Sequence, residues 1–137
     1  MDLPAHEYLE GLGIAHQRLS FPPETEKGAA GVARALGFEP GQMVKTLIFE
    51  TGAAERLLVM VGGDKNGISG HLKRAIGSRN IKLAGPDTVK EVTGYEIGSI
   101  PPFHWQTGGF RSFLDSCLMG EELLGVGAGA WGEEILL

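Results

Sequence analysis

A lone lysine opens an apolar run at Val44-Lys45-Thr46-Leu47-Ile48-Phe49. Lysine is depleted in strands, and one at the start of a core strand sets an ammonium at the mouth of the core. Such a group requires an acceptor, and the carbonyl or phosphate oxygens of a ligand would serve; a strand-end lysine that snorkels to solvent is the other reading. The second chemical feature is Gly94-Tyr95-Glu96-Ile97-Gly98-Ser99-Ile100-Pro101-Pro102-Phe103. Glycine lets backbone approach a ligand closely and proline stiffens the exit, so this segment reads as a rigid loop whose N–H groups can wall a small polar substrate. Ordinary surface turns share this composition. A lysine facing a Gly-Pro loop is the constellation on which a functional reading rests.

Other candidates have simpler roles open to them. Asp115, after Phe113-Leu114, reads as the cap of the next turn or as a group that fixes the lysine or a substrate amine. Thr25 is an N-cap first and a pocket hydroxyl second. Cys117, the single thiol, has no neighbouring His or basic setting to favour a thiolate, and is expected to be a small buried hydrophobe. His6, His16, His71 and His104 show no metal-ligand spacing, so no metal or other cofactor is expected. His104 alone falls near the Gly-Pro loop. Gly62-Gly63-Asp64-Lys65-Asn66-Gly67 lacks the ending of a phosphate-binding loop.

The elements that must carry these residues are short. Pro4 to Leu12 predicts a helix, and Ile14 to Phe21 a strand stopped by Pro22-Pro23. Ala29, Ala30, Val32, Ala33 and Leu36 share a helical face, closed by Gly37. Met43 to Glu50 and Arg56 to Val61 predict a hairpin. Ser69 is placed to cap a helix through Ile76, with Leu72, Ala75 and Ile76 facing inward. Asn80 to Ala84 predicts a strand and Pro86 to Val92 a helix. Phe110 to Leu114, Leu123 to Ala128 and Glu134 to Leu137 predict the remaining strands. The apolar end, Ile135-Leu136-Leu137, implies a strand docked in the sheet or a chain continuing into a further helix. Paired strands interrupted by short helices indicate an α+β fold in one domain, residues 1–137, and not a doubly wound parallel sheet.

The 137 residues are 42% hydrophobic and 21% charged, values of a folded globular chain that needs neither disulfide nor metal to complete its core. No apolar run approaches the roughly 20 residues that span a bilayer. The segment Met1-Asp2-Leu3-Pro4-Ala5-His6-Glu7 lacks the pattern of a signal peptide, and one cysteine agrees with a reducing, cytoplasmic setting. A net charge of −5 argues against indiscriminate nucleic-acid binding. Yet Lys65, Lys73, Arg74, Arg79, Lys82 and Lys90 gather in one stretch, either a solvated face or a local patch able to hold an RNA end.

The order of Thr25, Ala35-Leu36-Gly37, Gly41-Gln42-Met43-Val44-Lys45-Thr46-Leu47-Ile48-Phe49, Ala75-Ile76-Gly77, Thr93-Gly94-Tyr95, Gly98-Ser99-Ile100-Pro101-Pro102-Phe103, Leu114-Asp115 and Gly127-Ala128-Gly129 strongly resembles the YbaK/ProX-type aminoacyl-tRNA deacylases. These are related to the editing insertion domain of bacterial prolyl-tRNA synthetase. The resemblance covers nearly the whole chain. It implies a curled mixed, mainly antiparallel sheet approaching a barrel, with short helices packed around it. It also implies hydrolysis of the ester between a wrong amino acid and the terminal ribose of tRNA, with aminoacyl-tRNA as partner through its acceptor end and prolyl-tRNA synthetase as the protein partner suggested. By motif, Lys45 takes the place of the invariant family lysine, and Gly98, Ser99, Ile100 and Pro101 that of the substrate loop. Thr25 and Asp115 match further pocket positions. The chain departs from the pattern where some members carry a functional His after the Gly-Ala-Gly segment; Ala130-Trp131-Gly132 stands here instead.

No Ser-His or Cys-His pair is in evidence to activate an attacking oxygen. The economical mechanism is positional, with Lys45 and the backbone around Gly98 holding the ester while the neighbouring ribose hydroxyl positions water. Ala- or Cys-tRNA for proline is the expected substrate, selected by pocket size. The competing reading is a non-catalytic module on the same fold that binds an RNA end or a protein.

Overall fold

The computed structural model describes residues 2–78 and 80–137; Arg79, counted above in the basic stretch, lies outside the described residues. Helix α1 (Pro4–Gly11) begins with Pro4 in its first turn, where the missing N–H costs nothing. Strand β1 (Gln17–Ser20) is shorter than the sequence suggests. Helix α2 (Ala29–Leu36) is capped at its start by Gly28 and closed by Gly37 in the left-handed conformation. Thr25 is therefore not its N-cap. It sits in the preceding turn, its N–H donating to the Pro22 carbonyl at 2.9 Å.

Strands β2 (Val44–Thr51) and β3 (Arg56–Gly62) form the expected antiparallel hairpin, in register from Val44–Gly62 to Glu50–Arg56. Helix α3 (Gly70–Ile76) is capped by the Ser69 hydroxyl, which accepts from the Leu72 N–H at 3.1 Å. It buries Leu72 and Ile76, while Ala75 is exposed, contrary to the sequence expectation; the helix is too short to bury more than one narrow stripe. Strand β4 (Ile81–Leu83), helix α4 (Pro86–Thr93), and strands β5 (Ser112–Leu114), β6 (Gly125–Gly127) and β7 (Glu133–Leu136) complete the elements, each within its predicted segment or offset by a residue or two.

Two sheets result. One has four strands in the order β4-β2-β3-β5, antiparallel except for the parallel pair β3–β5. The other has three, β1-β7-β6, all antiparallel, with the apolar β7 docked in the centre. A single parallel bridge between Met43 and Gly125 joins them. The mixed, mainly antiparallel α+β architecture expected from the sequence is thus present, curled across this bridge without closing into a barrel. Ile48, Leu58, Ala84, Val89 and Ile100 pack on one face of the larger sheet, and Leu57, Val59, Val61, Leu72 and Ile76 on the other. Phe21, Val32, Ala33 and Met43 fill the joint beneath α2. Among the described residues no helix is long and apolar enough to cross a membrane.

Candidate active site

Hydrogen bonding along β2 decides what the joint between the sheets exposes. The Met43 carbonyl accepts from Gly63 N–H at 2.7 Å, and Thr51 N–H donates to the Glu55 carbonyl at 2.9 Å. Odd-numbered residues of β2 therefore bond to β3, and even-numbered ones turn their N–H and C=O to the opposite edge. On that edge the Ile48 carbonyl accepts from Ala84 N–H at 2.9 Å, but β4 pairs only with Phe49–Thr51. The stretch from Val44 to Leu47 faces a pocket of about 200 Å³.

The pocket brings together part of what the sequence singled out. Lys45, Gly98 and Ile100 line it, with Thr46 and Leu47 of β2, Val32 of α2, Gly127, Trp131 and Glu134 among its other walls. Lys45 is half-buried, and its ammonium donates to the Lys65 carbonyl at 2.5 Å. The lysine is thus neither stranded in the core nor loose in solvent. One of its three N–H donors is held by the β3–α3 loop, and two remain for a ligand. The Thr46 hydroxyl is buried without a partner among the described residues.

The Gly-Pro loop is fixed from behind. Gly98 has φ of 92°, a conformation that L side chains rarely adopt. The Ser99 carbonyl accepts from Gly129 N–H at 2.8 Å, and the Pro101 carbonyl from the Trp105 indole N–H at 2.5 Å. A Cβ on Gly127 would lie 2.8 Å from the Ile100 carbonyl oxygen, so the bare glycine is what lets β6 and the loop touch. Ser99 and Pro101 are buried behind the pocket surface and brace it. Tyr95 and His104 brace it too: the Tyr95 hydroxyl and His104 Nε2 share a 2.6 Å hydrogen bond. Burial raises the tyrosine pKa and lowers that of the histidine, which keeps both neutral.

Thr25 and Asp115 are not brought into the wall. Asp115 is buried as the cap of a short 3₁₀ turn, Ser116–Gly120, its carboxylate accepting from Cys117 N–H at 2.9 Å. Cys117 itself is exposed, correcting the expectation of a buried thiol; its position at the start of that turn faces solvent. Trp131, which follows the Gly127-Ala128-Gly129 segment, packs edge-on against Phe21 and donates its indole N–H to the Pro23 carbonyl at 2.8 Å. It closes the wall and anchors the loop before α2.

Sequence reasoning missed Glu134. It lies on β7 opposite Gly127 of β6, is only 7% exposed, and its burial pushes the carboxyl pKa up to about 8. From the sequence it is placed only as the first residue of the final strand. The strand period was the one local signal and it did not choose: alternation sets Glu133 on the face of Ile135 and Glu134 on the face of Leu136, and both apolar residues are buried.

The match to the family of aminoacyl-tRNA editing domains covers residues 23–135, and the chain belongs to that family. Curated relatives include the proline–tRNA ligase of Desulforamulus reducens, 34% identical over 95 residues that make up 67% of this chain and 16% of the ligase. The proline–tRNA ligase of Pelotomaculum thermopropionicum is 39% identical over 67 residues, 49% of this chain and 12% of that ligase. The chain thus spans a small fraction of these enzymes. Among solved structures, a proposed trans-editing enzyme for prolyl tRNA synthetase superposes with a TM-score of 0.83 and 27% identity, covering 100% of this chain and 88% of that one. A hypothetical protein superposes with a TM-score of 0.83 and 25% identity, covering 96% and 85%.

Proposed function

We propose that this editing domain is a trans-acting deacylase that cleaves the ester of mischarged aminoacyl-tRNA, with Ala- or Cys-tRNA for proline as substrate. The observation that carries the reading is the meeting of Lys45 and Gly98 in the wall of one small pocket. Water adds through its oxygen to the ester carbonyl carbon, the bond from that carbon to the ribose oxygen breaks, and a proton passes to the ribose oxygen. The products are a free amino acid and an intact tRNA. In this mechanism Lys45 holds an oxygen of the aminoacyl end, the loop from Gly98 to Pro101 fixes the carbonyl, and the neighbouring ribose hydroxyl positions the water. A volume of about 200 Å³ admits alanyl or cysteinyl groups, and Val32, Met43 and Ile100 suit their small side chains.

The test is incubation with Ala-tRNA and Cys-tRNA for proline, following release of the amino acid. Release from either above the spontaneous rate is expected. No release from both would remove these substrates and favour a binding module on the same fold.

A further inference from the structure

Glu134 is more than nine-tenths buried, lines the pocket, and its side chain has no hydrogen-bond or ion-pair partner among the described residues. A buried carboxyl without a partner is costly to maintain, and such groups concentrate where a ligand completes them. Lys45, the other charged side chain in the wall, stands on the opposite sheet and is engaged by the Lys65 carbonyl. Among the described residues no cation or hydrogen-bond donor meets the Glu134 carboxyl.

Its place in the fold restricts what the ligand group can be. Glu134 is the direct cross-strand partner of Gly127, and Gly127 abuts the backbone of Ser99 and Ile100. Facing positions on paired strands stand about 5 Å apart. Glu134 thus stands on the pocket face beside the loop assigned to the ester, and its Oε2 leans along the strand towards Gly125, where an added Cβ would lie 3.3 Å from it. In an aminoacyl ester, the polar group one carbon from the carbonyl is the α-amino group. Val32, Met43, Leu47 and Ile100 supply an apolar wall suited to a small side chain, and besides Lys45 and Glu134 the wall holds the polar Thr46, whose hydroxyl carries no charge. We infer that Glu134 is the binding group for the α-amino group of the aminoacyl ester, so that entry depends on the amine as well as on the ester. This rests on the deacylase reading above.

The pairing is chemically economical. A neutral carboxyl with a neutral amine, and a carboxylate with an ammonium, contain the same number of protons and the same net charge. Either form enters the buried site without adding charge to it, and each leaves a hydrogen bond between nitrogen and carboxyl oxygen.

The test compares alanyl-tRNA with lactyl-tRNA, in which a hydroxyl replaces the amine at nearly constant size. Rates are divided by the spontaneous hydrolysis rate of each ester. The wild-type chain is expected to prefer alanyl over lactyl by about tenfold or more in kcat/KM, and Glu134→Gln to bring that ratio close to one. A parallel arm measures equilibrium binding of 3′-alanylamino-3′-deoxyadenosine and of its lactyl counterpart to both proteins. There the wild type should favour the alanyl compound, and Glu134→Gln should bind the two alike. A wild-type ratio near one, or an unchanged ratio in Glu134→Gln, overturns the inference. Absence of hydrolysis with discrimination retained in binding would instead overturn the deacylase reading and leave Glu134 as the amine site. Loss of thermal stability in Glu134→Gln would not obscure the result, because the wild-type comparison of the two ligands stands alone.

Discussion

The ammonium of Lys45 on β2 is tied at 2.5 Å to the carbonyl of Lys65, in the loop that leads into α3. This contact orients the side chain along the pocket wall before any ligand arrives. We expect Lys45→Ala to lower deacylation of Ala- or Cys-tRNA for proline by at least about 100-fold while the fold is retained, as for removal of one donor to a developing oxyanion. Lys45→Arg should fail as well, since a planar fork cannot take the place of a compact ammonium. Circular dichroism alongside the release assay checks both points. Wild-type rates in Lys45→Ala would make the lysine a surface group held by a loop.

Glu134 should make stability depend on pH. Its carboxyl moves from 4.5 to about 8 on folding, so the folded state binds the extra proton between those values. Stability is fully present below pH 4.5 and is lost as pH rises towards 8, at most by about 1.4 kcal/mol per pH unit. Glu134→Gln should melt above the wild type at pH 8 and close to it at pH 4.5. His6 acts in the opposite sense. Burial lowers its pKa from 6.5, and its Nδ1 accepts from Leu3 N–H at 3.1 Å, so stability falls as pH drops below 6.5. The difference between thermal melts of wild type and Glu134→Gln across this range isolates Glu134, and the acid-side slope left in the variant includes both His6 and His104.

RNA contact should concentrate beside the lysine. Lys73 and Arg74 lie exposed on α3, and the loop that precedes the helix holds Lys45. Neutralising both should raise KM for aminoacyl-tRNA with kcat nearly unchanged, and reduce the salt dependence of binding by about two charges' worth of slope. A fall in kcat at constant KM would place these residues in the chemistry. No change would make the cluster a solvated face.

The exposed Cys117 should react promptly with alkylating reagents, and the modified protein should keep its deacylase activity, because the thiol does not line the pocket. Inactivation on alkylation, absent in Cys117→Ser, would assign the thiol to the reaction.

Strands and helices whose signals are local were legible in the sequence. Lys45 with the Met43–Glu50 run defined β2, and Ser69 announced α3, because strand period and cap chemistry act over a few residues. Thr25 misled because Gly28, not a side-chain oxygen, starts α2. Asp115 kept its local role as a cap, which spacing alone could not distinguish from a pocket role. Glu134 was not singled out because strand period does not choose between it and Glu133; its burial comes from β7 lying between β1 and β6, a long-range event.

The strand that carries Glu134 lies between β1 and β6, and Gln17 of β1 pairs with Leu136 of β7. Joining positions so distant along the chain costs loop-closure entropy that local hairpins avoid, and such pairings form late and slowly. During synthesis, β2 and β3 can already have paired while β1 still waits for its neighbour. A nascent chain would therefore hold its lysine in place before the opposite wall exists, and editing competence would arrive only with the last strand.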